Sequence, residues 1–451
     1  MMELTIYSTI LINQQVKKEE STVTFTDDAE GVENEVINLY PDIEYQTIEG
    51  FGGAMTEAAC HAMSALPESK REEILQAYFG EDGIGYRFLR THIDSCDFSL
   101  GNYSAMNDPD DKDMKSFSLE RDEQLLIPAI KEAMAICREP VSVMLTPWSP
   151  PPFMKTNGQK NGGGKLKKEY YPMWAAYMCR YISEYKQRGI NVVMISIQNE
   201  PKAVQTWDSC IFTAAEERAF LAGHLWPTMR QNGLEDVQVF IWDHNKERVY
   251  ERAAEIIDDE TDKMVSGVAF HWYSGDHFEA LRLVTETFAD KKLAFTEGCV
   301  ELSHDADTPE LAKAQRYAHD IIGNLNNGMH LYFDWNIALD EQGGPNHVNN
   351  YCDAPIICDT KMGEFKKRLT FDYIGHFSKY IKPGAKRIAY TKYTDTLDVT
   401  AAKNADGTVA VVIVNRVSEP QKAVFRLNGQ KAEVKLEADS ITTVCLKQRS
   451  V

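Results

Sequence analysis

The chain has 451 residues, with 48 Lys and Arg against 68 Asp and Glu, so its formal charge is −20. Hydrophobic residues make up 43% of the sequence, enough for a large buried core, which excludes a chain that is disordered overall. The acidic residues are spread along the whole sequence, which argues against nucleic acid or an anionic membrane as a partner, because both attract clustered Lys and Arg.

The first twenty residues carry an apolar run at 4–12, with no basic segment before it and no small-residue cleavage site after it. We therefore expect no signal peptide. The nine cysteines lack CxxC spacing and are odd in number, which favours reduced thiols. No apolar stretch approaches the roughly 20 residues of a membrane-spanning helix. These features predict a cytoplasmic protein without stable insertion into a membrane.

Residues 46–383 alternate short β-rich runs with amphipathic stretches, a pattern typical of βα units around a parallel sheet. We predict eight strands, at 48–55, 87–93, 141–147, 191–198, 237–242, 264–271, 292–297 and 330–335. Apolar residues recur at helical spacing in stretches between them, at 119–138, 173–188, 214–231, 247–259, 278–288 and 310–325. This order predicts a catalytic (β/α)8 TIM barrel, in which chemistry lies at the C-terminal ends of the strands.

After residue 383 the pattern changes to short β-rich runs separated by turns, at 387–393, 397–402, 409–415, 423–427, 432–436 and 441–446. We predict a C-terminal β-sandwich domain at 384–451. Residues 1–45 contain two more runs, at 22–26 and 35–39, and no helix. We expect these N-terminal strands to pair with the C-terminal ones. The predicted fold is thus an α/β barrel with an all-β sandwich side domain formed by both termini.

Two of the predicted barrel strands end in glutamate. The fourth strand leads into Asn199-Glu200-Pro201, and the seventh ends at Thr296-Glu297. In a barrel, both carboxylates would project from one rim into a shared cleft. A single glutamate at this rim is as readily a structural partner of Arg or Lys, but two facing carboxyl groups are what cleavage of a glycosidic bond needs. The pair therefore favours a glycosidase.

Aromatic and amide residues cluster at the ends of other strands. They follow the third, fourth, sixth and eighth strands and comprise Trp148, Trp207, His271, Tyr273, Trp335 and Asn336. Flat apolar rings beside hydrogen-bonding groups suit a sugar, whose faces are apolar and whose hydroxyls radiate from the ring. We expect these residues to bind substrate.

Seven motifs, in this order, resemble glycoside hydrolase family 30, in the form found in bacteria. They are GFGGAMTE at 50–57, SCDFS at 95–99, PWSPPPFMKTNG at 147–158, QNEP at 198–201, FHWY at 270–273, FTE at 295–297 and DWN at 334–336. GGPN at 343–346 and DAPIICD at 353–359 resemble the glucosylceramidase branch of that family.

The resemblance implies roles for individual residues. It implies that Glu200 is the general acid/base and Glu297 the nucleophile of a retaining β-glycosidase. Asn199 would hydrogen-bond the 2-hydroxyl of the sugar. The remaining implied substrate-site residues are Asp97, Trp148 and Trp335 around the sugar, and Arg90 and Tyr273 beside the nucleophile.

The activity we expect is hydrolysis of a terminal β-D-glucoside, of the glucosylceramidase or β-glucosidase type, on a small glycoside or oligosaccharide. β-1,6-Glucanase, β-xylosidase and β-fucosidase activities remain alternatives, as does a sugar-binding protein without catalysis. We expect no cofactor. We also expect no metal ion, because His271, Asp276 and His277 lack the spacing of metal ligands. The sequence leaves the oligomeric state open.

Overall fold

The computed structural model describes residues 2–13 and 15–447. They form a closed eight-stranded parallel barrel, a ten-stranded sheet and a small three-stranded sheet. Residues 1 and 14 of the predicted N-terminal segment and residues 448–451 of the predicted C-terminal domain lie outside the described residues.

The barrel strands run parallel in chain order, and the eighth pairs with the first. From first to eighth they are Gly50–Ala54, Phe88–Ile93, Ser142–Pro147, Val192–Ser196, Gln238–Asn245, Gly267–His271, Lys292–Glu297 and Met329–Asn336. The predicted TIM barrel is confirmed, and no strand end differs from the prediction by more than three residues.

Close packing of the first and second barrel strands explains why the first is rich in glycine. A Cβ at Gly52 would lie 2.0 Å from the carbonyl oxygen of Phe88, so only glycine fits there. Apolar side chains from the third to the eighth strands fill the barrel interior as one cluster, comprising Met144, Met194, Phe240, Ala269, Ala294, Leu331 and Phe333.

Helices cover the outside of the barrel. The α-helices are Glu57–Ser64, Glu68–Phe79, Glu120–Gln124, Leu126–Ile136, Tyr171–Gln187, Ala214–Phe220, Trp226–Gln231, Val249–Ile256, Phe278–Thr287, Leu302–Asp305, Glu310–Asn326 and Leu369–Ser378. Short 3₁₀ helices are Pro152–Met154, Lys168–Tyr170, Lys246–Arg248 and Asp262–Met264. The predicted helix 119–138 is divided at Leu125, and the predicted helix 214–231 contains a π-helical segment at Leu221–Leu225.

The ten-stranded sheet is built from both ends of the chain, as predicted. In spatial order its strands are Gln15–Thr24, Glu3–Ile12, Ser440–Lys447, Val409–Asn415, Leu397–Lys403, Ala385–Lys392, Val36–Ile48, Gln421–Leu427, Gln430–Leu436 and Thr26–Asp27. The strand Glu3–Ile12, which the sequence analysis did not predict, lies between Gln15–Thr24 and the last strand. The three-stranded sheet, Leu339–Asp340, Ile356–Asp359 and Glu364–Lys367, belongs to the loop after the eighth barrel strand.

One strand of the side domain, Val409–Asn415, is buried on both faces. Val409, Val411 and Ile413 point into the sandwich core, whereas the alternate residues join the apolar cluster around the barrel helices. The sandwich is therefore packed firmly against the barrel. Within residues 2–13 and 15–447, no helix combines the length and the hydrophobicity needed to cross a membrane.

Candidate active site

Glu200 and Glu297 line the same cavity, of about 400 Å³, at the C-terminal ends of the barrel strands. Glu297 is the last residue of the seventh strand. Glu200 lies four residues beyond the fourth strand, in a turn where its φ is +46°. Two backbone bonds fix this turn, from the N–H of Asn199 to the carbonyl of Pro147 (2.8 Å) and from the N–H of Glu200 to that of Asp243 (2.9 Å).

The structure brings most of the predicted site residues to this cavity. Besides the two glutamates, the cavity is lined by Asp97, Trp148, Asn199, Trp207, Tyr273 and Trp335. Arg90, His271 and Asn336 do not line it but lie buried behind it, with 0%, 0% and 2% of their surface exposed. Asn336 accepts a hydrogen bond from the hydroxyl of Thr56 (2.5 Å), which places it at the start of the first barrel helix.

Glu297 is held through both carboxylate oxygens. Arg90 donates to Oε2 at 2.8 Å and the Tyr273 hydroxyl donates to Oε1 at 3.0 Å. Burial raises the pKa of Glu297, and the charge of Glu200 adds to this, while His271 and Arg90 oppose it. When Glu200 is neutral, the hydrogen-bond donors on both oxygens favour the ionised form of Glu297.

Arg90 ties several parts of the site together. Its Nη2 donates to Oδ1 of Asn199 at 2.8 Å and to Oδ2 of Asp243 at 3.0 Å. Its guanidinium carbon lies 4.7 Å from the ring centre of Trp148 and 5.5 Å from that of Trp335, and these two rings stack on each other. This side of the cavity is thus built around one buried cation.

Glu200 faces two imidazoles. Its Oε1 lies 3.2 Å from Nδ1 of His271 and 3.5 Å from Nδ1 of His244. Burial would raise the pKa of Glu200, but the hydrogen bond to His271 and the proximity of His244 outweigh it and lower that pKa. Burial opposes a charge on His271, yet Glu297, Asp243 and Glu200 together raise the pKa of His271 to about 9. At neutral pH the proton between Glu200 and His271 therefore resides mainly on the imidazole.

Asp243 and His244 belong to the site although the sequence analysis did not single them out. The fifth strand was predicted to end at residue 242, but it continues to Asn245, and Trp242 and Asp243 both have positive φ, +72° and +51°. Oδ1 of Asp243 lies 3.1 Å from Nε2 of His271. The run of Asp, His and Asn directly after an apolar strand was the available signal.

Asp97, which lines the cavity, has one unsatisfied carboxyl oxygen. Asn350 donates to its Oδ2 at 3.4 Å, whereas Oδ1 is buried and has no hydrogen-bond partner among the described residues. Burial, followed by the charge of Glu297, raises the pKa of Asp97 well above its usual range. A buried, unpaired carboxyl oxygen is costly, so its position on the wall suits an acceptor for a substrate hydroxyl.

Polar residues that the sequence analysis did not single out form the mouth of the cavity. The end of the fifth strand and the loops after the fourth, seventh and eighth strands contribute Gln205, Asn245, Glu301, Ser303, His304 and Asn350. All but Asn245 come from loops without regular spacing, so no pattern in the sequence identifies them.

A parallel barrel carrying two glutamates, stacked indoles and an unpaired aspartate at one rim defines the class of barrel glycoside hydrolases. Matches to family models specify the member of this class. The glycosyl hydrolase family 30 TIM-barrel domain matches residues 48–381, and the family 30 beta sandwich domain matches residues 384–444. The chain belongs to glycoside hydrolase family 30 and is a glycosidase, and the resemblance seen in its motifs is confirmed.

Named relatives include glucosylceramidases and endo-1,6-beta-glucanases. Lysosomal acid glucosylceramidase of Mus musculus is 34% identical over 402 residues, covering 85% of this chain and 78% of that protein. Endo-1,6-beta-D-glucanase of Neurospora crassa is 26% identical over 399 residues, covering 83% and 80%. The crystal structure of SrfJ from Salmonella typhimurium superposes with a TM-score of 0.95 at 36% identity, covering 99% of this chain and 100% of SrfJ.

Proposed function

We propose that this enzyme hydrolyses terminal β-D-glucosides with retention of configuration, using Glu297 as the nucleophile and Glu200 as the general acid/base. The observation that carries the proposal is the difference between their partners. Glu297 accepts hydrogen bonds from a cation and a phenol, whereas Glu200 faces an imidazole with which it can exchange a proton. Distinct environments for two carboxyl groups are the condition for distinct roles.

In the first step, Glu297 attacks the anomeric carbon while Glu200 protonates the departing glycosidic oxygen, which leaves a covalent glycosyl-enzyme. The proton reaches Glu200 from Nδ1 of His271, 3.2 Å away. Once Glu200 is neutral, its repulsion of Glu297 disappears. Arg90 and Tyr273 then keep the nucleophile ionised.

In the second step, Glu200 acts as the base. Glu200 is already ionised, because its proton left with the leaving group. Glycosylation has removed the charge of Glu297, so Glu200 stays ionised and takes a proton from the attacking water. Arg90 remains compensated by Asp243, with which it forms a fully buried ion pair at 3.0 Å. The guanidinium therefore does not become an unpaired buried charge when the nucleophile is esterified.

The glucosyl unit would bind between Asp97 and the indoles of Trp148 and Trp335. Oδ1 of Asp97 accepts from sugar hydroxyls, because it has no other partner among the described residues. The side-chain oxygen Oδ1 of Asn199 accepts from Arg90, which leaves the N–H groups of Nδ2 to donate to the 2-hydroxyl. Variants of Asp97 and Asn199 should therefore alter recognition of the glycone and not of the leaving group.

A β-1,6-glucanase is the second candidate, because one observation favours it. The mouth of the cavity carries Gln205, Glu301 and His304, which are hydrogen-bonding groups suited to a second sugar rather than to a lipid. Two relatives are named endo-1,6-beta-glucanases, one in Neurospora crassa at 26% identity and one of solved structure with a TM-score of 0.87. β-Xyloside and β-fucoside hydrolysis remain alternatives for the same cavity.

Covalent trapping tests the assignment of the nucleophile. Incubation with 2-deoxy-2-fluoro-β-D-glucosyl fluoride should add one fluoroglucosyl group, which peptide mapping by mass spectrometry should place on Glu297. Glu297→Gln should acquire no adduct, and Glu341→Gln, at an ion pair with Lys361 outside the cavity lining, should be labelled like the parent enzyme. A label on any other carboxylate would refute the assignment.

A screen of aryl β-glycosides then fixes the glycone. We expect the β-D-glucoside to be hydrolysed fastest, and proton NMR to detect the β-anomer of glucose first. Parallel assays with β-1,6-linked glucose oligomers and with glucosylceramide in detergent separate the leaving groups. Initial formation of the α-anomer would exclude the double displacement.

A further inference from the structure

His244 contributes a nitrogen to the site that the proposed mechanism does not need. Its Nδ1 is buried and has no hydrogen-bond partner among the described residues, and Oε1 of Glu200 lies 3.5 Å from it. The ring stays in place by packing against Trp242, with 5.0 Å between the ring centres. A buried ring nitrogen without a hydrogen-bond partner is unfavourable, and a bound ligand would satisfy it.

Three possible metal-ligand atoms lie close together at this point. Glu200, His244 and His271 each offer one ligand atom, and these atoms all lie within 4.8 Å of one another. Around a tetrahedral zinc ion, bonds of about 2.0–2.2 Å separate neighbouring ligand atoms by roughly 3.3–3.6 Å. The distances from Oε1 of Glu200 to the two Nδ1 atoms, 3.2 and 3.5 Å, match that separation closely.

The groups behind His271 resemble the support that metal-binding histidines receive. Nε2 of His271 lies 3.1 Å from Oδ1 of Asp243. That carboxylate is fixed in turn by the Thr296 hydroxyl at 2.5 Å and by Arg90 at 3.0 Å. With its Nε2 proton directed to Asp243, the neutral ring points the lone pair of Nδ1 at Glu200. A carboxylate behind a histidine fixes its tautomer and strengthens it as a ligand.

We propose that Glu200, His244 and His271 form a binding site for a tetrahedral divalent metal ion such as Zn²⁺, and that the bound ion inhibits the enzyme. Glu200 and His244 both line the cavity, so the fourth position faces solvent or substrate. On binding, the ion bonds to the three ligand atoms and the proton shared by Glu200 and His271 leaves to solvent. Glu200 then has no proton to give to the leaving group, and its bond to the cation weakens it as a base.

Metal binding is measured first without substrate, so this part of the test does not depend on the proposed function. Protein freed of metal with EDTA and then freed of the chelator is titrated with Zn²⁺ by calorimetry. Co²⁺ serves as the spectroscopic probe, because tetrahedral Co²⁺ has intense visible bands. We expect one equivalent to bind, with tetrahedral Co²⁺ bands that Zn²⁺ displaces.

His244→Ala is the test variant and His304→Ala the matched control, because His304 lines the same cavity outside the cluster. We expect affinity for Zn²⁺ to fall by more than about tenfold in His244→Ala and to be unchanged in His304→Ala. Circular dichroism melts verify that both variants are folded. Equal affinity in the two variants, or no stoichiometric binding to the parent protein, would overturn the proposal.

Inhibition is measured against the metal-free rate of each protein. We expect Zn²⁺ to inhibit the parent and His304→Ala in the concentration range of its calorimetric affinity, and EDTA to restore both rates. His244→Ala should need more than about tenfold higher Zn²⁺ for the same fractional loss. Stoichiometric binding without inhibition would overturn the inhibitory role. It would not decide the assignment of Glu200 as acid/base, which the pH profile of kcat/KM tests separately.

Discussion

At the residue scale, the proposed mechanism depends on a single proton held between Glu200 and His271. The two atoms lie 3.2 Å apart, and the other nitrogen of His271 faces Asp243. An ion pair of these two groups and a pair of neutral groups differ only in where that proton sits. The acid needed for the first step therefore exists as long as the pair keeps its proton.

The pH dependence of turnover should reveal this pair. Because the pKa of His271 is raised to about 9, the proton is fully present below that pH and is lost as the pH rises through it. We expect the alkaline limb of kcat/KM to fall near pH 9 in the parent enzyme. His271→Gln should move this limb to lower pH, because the proton then depends on Glu200 alone.

The measurement is a pH profile of kcat/KM with an aryl β-glucoside, and it separates proton storage from simple positioning. His319→Gln is the matched control, since His319 also bridges two carboxylates, Asp276 and Asp398, but lies outside the cavity lining. Its alkaline limb should coincide with that of the parent. A His271→Gln enzyme that is slower but keeps the same alkaline limb would contradict the shared proton.

How far the sequence predicts the site differs from residue to residue. The sequence predicts Glu200 and Glu297 as site residues because each lies at or just after the end of an apolar strand at the barrel rim. It does not predict the positions of Asp243 and His244, because two successive residues with positive φ, Trp242 and Asp243, break the alternation of side chains on which strand patterns rest. The depth of Arg90 and His271 behind the wall depends on three-dimensional packing, which residue types alone do not specify.

At the scale of elements, a buried ion pair joins two segments far apart in the chain. Lys246, in the 3₁₀ helix after the fifth strand, is fully buried and pairs with Asp320 on the helix Glu310–Asn326. Asn324 accepts from the same ammonium at 3.3 Å and donates to Oδ2 of Asp320 at 2.6 Å. The pair fixes how this helix lies against the rim that carries His244.

Removing one charge of this pair should be more harmful than removing both. Lys246→Met leaves Asp320 buried without its cation, and we expect a loss of about 3–5 kcal/mol in the free energy of unfolding. Lys246→Met combined with Asp320→Leu should recover much of that loss. Arg248→Met, at the exposed pair with Glu251, is the control and should cost less than about 1 kcal/mol.

Urea unfolding monitored by tryptophan fluorescence measures these differences in free energy. If the single and double variants were equally destabilised, the cost would come from packing and not from an unpaired charge. The sequence predicted the helix at 310–325 from its apolar spacing but not this pair, because Lys246 and Asp320 are 74 residues apart. The division of the predicted helix 119–138 at Leu125 was missed for a related reason, since its apolar spacing continues across the break.

At the scale of the whole molecule, the side domain and the barrel share one apolar cluster. Ala410, Val412 and Val414 belong to the cluster that covers the barrel helices, whereas Val411 and Ile413 belong to the sandwich core. The N-terminal strand Glu3–Ile12 is tied to the same region, because His376 of the helix Leu369–Ser378 bonds the hydroxyls of Thr9 and Thr443, each at 2.8 Å. Burial of these contacts should make the two parts unfold together.

Val411→Ala and Val412→Ala test this coupling, because the two residues are adjacent and both 0% exposed, yet point to opposite faces of one strand. Each variant should lose about 2 kcal/mol by removing buried methyl groups. If the molecule is one cooperative unit, calorimetry should show a single transition, lowered similarly in both variants. The temperature at which glycosidase activity is lost should fall with it. In an independently folding sandwich, Val411→Ala would instead lower only a separate transition, and the temperature of inactivation would stay that of the parent enzyme.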